Sequence, residues 1–274
     1  MEFVLNCWVP SLSGFYKIKE LRNRQISTLS KYILNEDHPG TNQCFEEIIK
    51  ENFVDYNAYS LNRFDKWFIL TFLRAINVSP TLYLQTTNTG NIPCNIEISL
   101  FDILTKLSEI NCIDTFKIGV ENINFLLQPH KLLFTDEPVL DSIATVEYKS
   151  QNITDLKLIK ELLLKNVNLR NYIAQELLLK DGQSQHYIIK NNNTSLNLAD
   201  LPVRVYDNTL FFFVRSIYLP YCKGLYEKQY NLMRFGNFSY SDLQQLTPAE
   251  SDIFLNLFKQ DESDKSQSNG INIQ

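Results

Sequence analysis

The side chains able to do chemistry are few and scattered. Five cysteines stand at Cys7, Cys44, Cys94, Cys112 and Cys222, an odd number with no pair spaced as CxxC. That pattern argues against a disulfide framework and suits a reducing cytoplasm. The three histidines, His38, His130 and His186, lie far apart and belong to no HxxxH or HExxH pattern, so no zinc site is expected from spacing. Two pairs of adjacent acids, Glu46 with Glu47 and Asp136 with Glu137, read as solvated rather than catalytic. Eight glycines form neither GxGxxG nor GxxxxGK[ST], so no phosphate-cradling loop is encoded, and GxSxG is also absent. Cys222 falls in an apolar helical stretch, where cysteine acts as a small core residue. No catalytic, cofactor or metal residue is expected.

The charged residue in the most unusual surroundings is Arg74, inside "LNRFDKWFILTFLRAINVSP" at 61–80. Phe64, Trp67, Phe68, Thr71, Phe72 and Ala75 follow helical spacing as one stripe, and Ile69, Leu70 and Leu73 widen it almost all round. Asn62 can cap the start, and Asp65 in the first turn suits the helix dipole. Such a helix reads as core. Arg74 then becomes a buried or interfacial guanidinium in need of a carboxylate or carbonyl partner.

The elements that must position this helix can be read outward from it. Residues 16–34 place Ile18, Leu21, Ile26, Leu29 and Ile33 near helical spacing and read as one amphipathic helix. Pro39 and Gly40 break it, and "QCFEEIIKENF" forms a short second helix. After residue 80, "TLYLQTT" and "NIEISLFDI" alternate on either side of an Asn/Gly/Pro loop, a β-hairpin near 81–103. "TFKIGVENINFLLQP" adds a strand pair. "ITDLKLIKELLLKN" is a helix capped by Thr154 or Asp155, and "NLRNYIAQELLLKDG" another, ended by Gly182. A strand and a polar loop cover 185–202. A long helix bent or broken by Pro220 follows. At the last helix Thr247 caps, Pro248 takes the first position and Glu250 the third.

The expected fold is α+β, mainly helical, with a small antiparallel sheet built on the hairpin near 81–103. The expected division is an α+β domain over 1–145, a mainly helical domain over 146–260, and a polar tail over 261–274.

With 274 residues the chain has ample length for a core, and 44% hydrophobic with 21% charged residues is ordinary for a globular protein. A net charge of −5 weighs against non-specific nucleic-acid binding, which needs a concentrated basic surface. No apolar run is long enough to span a membrane, and the acidic start does not resemble a secretory signal. The aromatic run "TLFFFVRSIYLPYCKGLYEKQY" holds Phe211, Phe212, Arg215, Tyr218, Tyr226 and Tyr230. It reads either as a buried amphipathic helix or as an exposed docking face, since Phe, Tyr and Arg dominate interface hot spots.

The block Phe64-Asp65, Phe68, Phe72-Leu73-Arg74-Ala75 and Val78, followed by "YLQTT", Cys94 and "IEISLFDI", resembles the baseplate hub assembly family of T4-type phages. There a helix of this pattern runs directly into a β-hairpin with a cysteine near its turn. The preceding "LSKYIL" is similar too, so the likeness covers 16–104. "YEKQYNLMRF" with "DLQQLTPAESDIF" resembles the end of other small phage baseplate proteins. The chain lacks the family's N-terminal "RPF"-like stretch.

The resemblance implies a non-enzymatic structural subunit of a contractile-tail phage baseplate hub. Such a subunit is made in the host cytoplasm and built into the virion tail. Its partners would be other hub and tail proteins in a hetero-oligomeric assembly, without nucleic acid or membrane. Phe64, Trp67, Phe68, Phe72, Arg74, Phe211, Phe212, Arg215, Tyr218, Tyr226 and Tyr230 are the candidate structural and interface residues, with Arg74 tying helix to hairpin or partner. The alternatives are a transient hub assembly chaperone absent from the mature particle, and an enzyme with dispersed catalytic residues.

Overall fold

A computed structural model describes residues 3–87, 93–108, 115–120, 122–128, 131–149, 151–183, 186–187, 201–202 and 208–269. The fold is α+β and mainly helical, with small antiparallel sheets.

The chain opens with strands β1 (Val4–Val9) and β2 (Gly14–Lys19), paired from Val4 opposite Lys19 to Val9 opposite Gly14. Residues 16–19 are therefore strand, not the first turn of a helix over 16–34. Tyr16 and Ile18 alternate with Lys17 and Lys19, and this period of two, with Ile18 fully buried, outweighs the helical spacing that begins at Leu21. Helix α1 (Asn23–Leu34) starts only after this strand. Helix α2 (His38–Asn52) also departs from expectation. Pro39 and Gly40 begin it rather than break the chain, because proline is tolerated in the first turn and the Asp37 carboxylate accepts from the Gly40 N–H at 2.9 Å.

Helix α3 (Arg63–Asn77) carries the expected cap: Asn62 accepts from the Asp65 N–H and Asp65 accepts from the Asn62 N–H, both at 2.9 Å. It feeds the hairpin of β3 (Thr81–Thr87) and β4 (Pro93–Ser99), as the alternation required. Leu100 ends the strand instead of continuing it. Leu100, Ile103 and Leu104 are buried at helical spacing and open α4 (Leu100–Ser108).

The larger sheet lies further on. Strands β5 (Phe116–Val120) and β6 (Ile123–Leu127) form the expected pair. After the short α5 (Pro138–Asp141), β7 (Ile143–Tyr148) and β8 (Gln151–Ile153) extend it in the order β5-β6-β7-β8. Helices α6 (Leu156–Lys165), capped by Asp155, and α7 (Val167–Gln183) pack on this sheet. The two-residue strands β9 (His186–Tyr187) and β10 (Leu201–Pro202) pair with each other.

Helix α8 (Thr209–Gly236) runs through Pro220 without ending there, and it packs on α1, α3 and α10. Then come α9 (Tyr240–Gln245) and α10 (Pro248–Asn269). In the latter, Thr247 and Glu250 make the expected reciprocal cap at 3.2 and 2.7 Å. This helix enters the segment expected as a tail.

A division at 145/146 does not follow the packing. It falls inside β7, which pairs on both sides, and α8 from the second half fills the core of the first. Phe211 and Tyr218 meet Phe45 with ring centroids 6.2 and 5.6 Å apart, and Phe213 meets Trp67 at 5.7 Å. The hairpin loop at 88–92, the polar loop at 188–200, Cys112, His130 and the end at 270–274 lie outside the described residues.

Candidate functional site

Among the candidate residues, Phe64, Trp67, Phe68, Arg74, Phe211 and Tyr218 are buried, while Phe72 and Arg215 are half-buried. Phe212, Tyr226 and Tyr230 stand 45%, 43% and 53% exposed. The aromatic positions of α3 therefore build the core, and only those on one flank of α8 face outward. Phe64, Trp67, Phe211 and Tyr218 are covered by the chain itself, and Phe68 is buried at the floor of an apolar groove.

Helix α3 works as an internal frame. Its charged side chains are all buried, and each fixes a different neighbour. Arg74 donates from Nε to the Ile217 carbonyl and from Nη1 to the Ser79 carbonyl, both at 2.9 Å. The expected carbonyl partners are thus found on α8 and at the entry to β3. Burial lowers the Arg74 pKa from its ordinary value, and nearby Tyr218 and Tyr221 oppose that shift. The Tyr218 hydroxyl donates to the Leu70 carbonyl at 2.9 Å, a second strap between α8 and α3.

Sequence reasoning missed the frame's other end. Arg63 is fully buried and donates to the Leu133 carbonyl at 2.8 Å and to Asn208 Oδ1 at 3.2 Å. Lys66 pairs with Glu46 of α2 at 2.6 Å. Asp65, besides capping the helix, accepts from the Ser11 N–H at 2.9 Å and hydroxyl at 2.6 Å, which anchors the turn between β1 and β2. Burial raises the Asp65 pKa, and the bonds from Ser11 and Asn62 oppose the rise. The signal was present in "RFDK", three charges inside an otherwise apolar helix, but helical periodicity alone does not say that they are buried.

Three of the cysteines are held in an unreactive state. Cys7, Cys44 and Cys222 are free and buried. Burial pushes the Cys44 thiol up to about 12, the Cys222 thiol up to about 11, and the Cys7 thiol higher still. None is a thiolate near neutrality, so none is a ready nucleophile. Of the acid pairs, Glu46 is engaged by Lys66, Glu47 accepts from Gln43 at 3.2 Å, and Glu137 lies 3.6 Å from Arg170. Among the described residues no group of three or more His, Cys, Asp or Glu is placed to hold a metal ion. No helix among them is long and apolar enough to cross a membrane.

The concave surfaces are of two kinds. A polar cavity of about 550 Å³ beside the start of α1 is lined by Arg22, Arg24, Gln25 and Glu51 among others. Within it Glu51 accepts from Arg24 at 3.1 Å and from Gln25 at 2.8 Å, and Arg22 donates to the Gln245 carbonyl at 2.9 Å. Two apolar grooves lie elsewhere. One, of about 400 Å³, is walled by Trp8, Phe15, Phe68, Phe72 and Phe101 between the β1–β2 hairpin and α3–α4. The other, of about 370 Å³, lies between the four-stranded sheet and α6–α7. What the arrangement offers chemically is apolar and aromatic contact area. Compared with known protein families, curated proteins and solved structures, the chain finds no match in any of the three.

Proposed function

We propose that this protein is a non-enzymatic structural subunit of a contractile-tail phage baseplate hub, acting through protein–protein interfaces during tail assembly. The observation that carries the reading is the helix–hairpin block, where α3, with Arg74 in its last turn, runs into β3 and β4. This is the order of elements in the baseplate motif that the sequence resembles. Arg74 belongs to that motif, and here it fastens α3 to the start of the hairpin and to α8.

The surface supports a contact role. Large apolar side chains stay half-exposed along α8 and around both apolar grooves, including Phe15 at 71% and Leu162 at 55%. Contiguous exposed apolar area of this kind marks interaction sites.

Quantitative mass spectrometry of purified particles from the encoding virus, set against the infected-cell lysate, tests the reading. A fixed copy number per particle is expected. Presence in the lysate with absence from particles would instead identify a transient assembly chaperone. A source with no contractile tail would overturn the assignment.

A further inference from the structure

Helix α8 is buried along one face, yet a second apolar row runs down its flank. Phe212, Leu219, Tyr226 and Met233 recur every seven residues, and Tyr230 lies one turn beyond Tyr226. Seven is the period at which one helix keeps continuous contact with another. The described residues do not close the row. Phe212, Tyr226, Tyr230 and Met233 are 45%, 43%, 53% and 36% exposed, with Leu219 partly buried. Tyr240 of α9, close enough to Tyr226 to influence its titration, widens the patch at 51% exposure. Leu34 adds 42% at the end of α1, next to Ile33, whose carbonyl accepts from Arg215 of α8 at 3.2 Å.

The size of this patch is informative. A half-exposed aromatic offers roughly 100 Å², given the 150–250 Å² such a side chain buries when covered. The patch therefore offers roughly 600–700 Å², above what most monomers leave open and close to the ~800 Å² per partner of a stable interface.

Its rim indicates which partner fits. Lys223 and Glu227 stand one turn apart beside the row, both exposed, and neither has an ion-pair partner among the described residues. In an antiparallel helix pair, residues on the same flank face one another. A pair centred at the level of Leu225 sets Lys223 of each copy against Glu227 of the other, twice by symmetry. Tyr226 then lies beside the two-fold axis.

We propose that this flank of α8 is a homodimer interface, on which a second copy of the chain packs antiparallel along the row from Phe212 to Met233. The proposal does not depend on the baseplate assignment.

Sedimentation velocity on the purified full chain over a dilution series tests it. Twice the monomer mass of 32.0 kDa is expected at high concentration, falling to 32.0 kDa on dilution. Tyr226→Glu with Tyr230→Glu should stay monomeric throughout with unchanged circular dichroism. Lys223→Glu should weaken the dimer roughly tenfold by setting like charges face to face, and adding Glu227→Lys should restore it. Monomer at every concentration, or a dimer indifferent to the tyrosine substitutions, would overturn the interface. A charge swap that fails to restore affinity would overturn the antiparallel arrangement.

Discussion

Helices α3 and α8 are built from the same kinds of residue and do different work. Both are rich in Phe and carry an arginine among apolar neighbours. In α3 the burial runs nearly all round, so that Arg63, Asp65, Lys66 and Arg74 are enclosed with the aromatics. In α8 one face holds Phe211, Val214, Tyr218 and Leu225 at the core, while Phe212, Tyr226 and Tyr230 face outward. Aromatic content therefore does not distinguish an enclosed helix from one with an exposed flank. The width of the apolar arc does. An arc that wraps the helix leaves its charges no route to solvent, and they become internal ties. An arc confined to one side leaves a flank that the described residues do not cover.

That contrast can be broken by substitution, beginning with the largest effect. Trp67→Ala removes a fully buried indole between Phe64, Phe68 and Phe213 and should cost about 3–5 kcal/mol in chemical denaturation. Arg74→Ala removes two hydrogen bonds, to the Ile217 and Ser79 carbonyls, and should cost about 1–3 kcal/mol. Proteolysis should then cut first near the α3–β3 junction, and unchanged stability would remove Arg74 from the frame.

Asp65→Asn is the next smaller step, about 1–3 kcal/mol, because an amide turns one acceptor into a donor that faces Ser11 or Asn62. It should also alter the pH dependence. Burial raises the Asp65 pKa above its ordinary value of 3.8, so the native state binds that proton more tightly than the unfolded chain does. This group's contribution to stability is thus greatest at low pH. It falls as pH rises from 3.8 to the raised value, and in Asp65→Asn that decline should be missing when unfolding is followed by pH. The smallest effect belongs to Tyr226→Ala and Tyr230→Ala, each expected to change monomer stability by no more than about 0.5 kcal/mol.

The frame was largely legible in the sequence. Asn62 and Asp65 announced the start of α3, the alternation on either side of 88–92 announced β3 and β4, and Thr247 with Glu250 announced α10. Misreadings came where one residue satisfied two patterns. Ile18 fits both the strand 14–19 and the helical spacing that follows, and only its pairing with Leu5 decides it. Leu100 continues the strand's alternation and also opens α4 with Ile103 and Leu104. Strand β7 was missed because its pairing with β6 reaches back across α5, and β8 because it pairs with β7 and has no partner without it. The outward flank of α8 was left open because periodicity gives the faces of a helix but not which of them the rest of the chain covers. That choice is made by α1, α3 and α10 together.

The division of labour between the two helices is tested most directly by urea denaturation of Trp67→Ala and Tyr230→Ala side by side, at concentrations dilute enough to keep the chain monomeric. The expected result is a loss of about 3 kcal/mol or more for Trp67→Ala and no more than about 0.5 kcal/mol for Tyr230→Ala. Equal losses in the two variants would contradict the account, because they would mean that α8's flank is as much part of the core as α3.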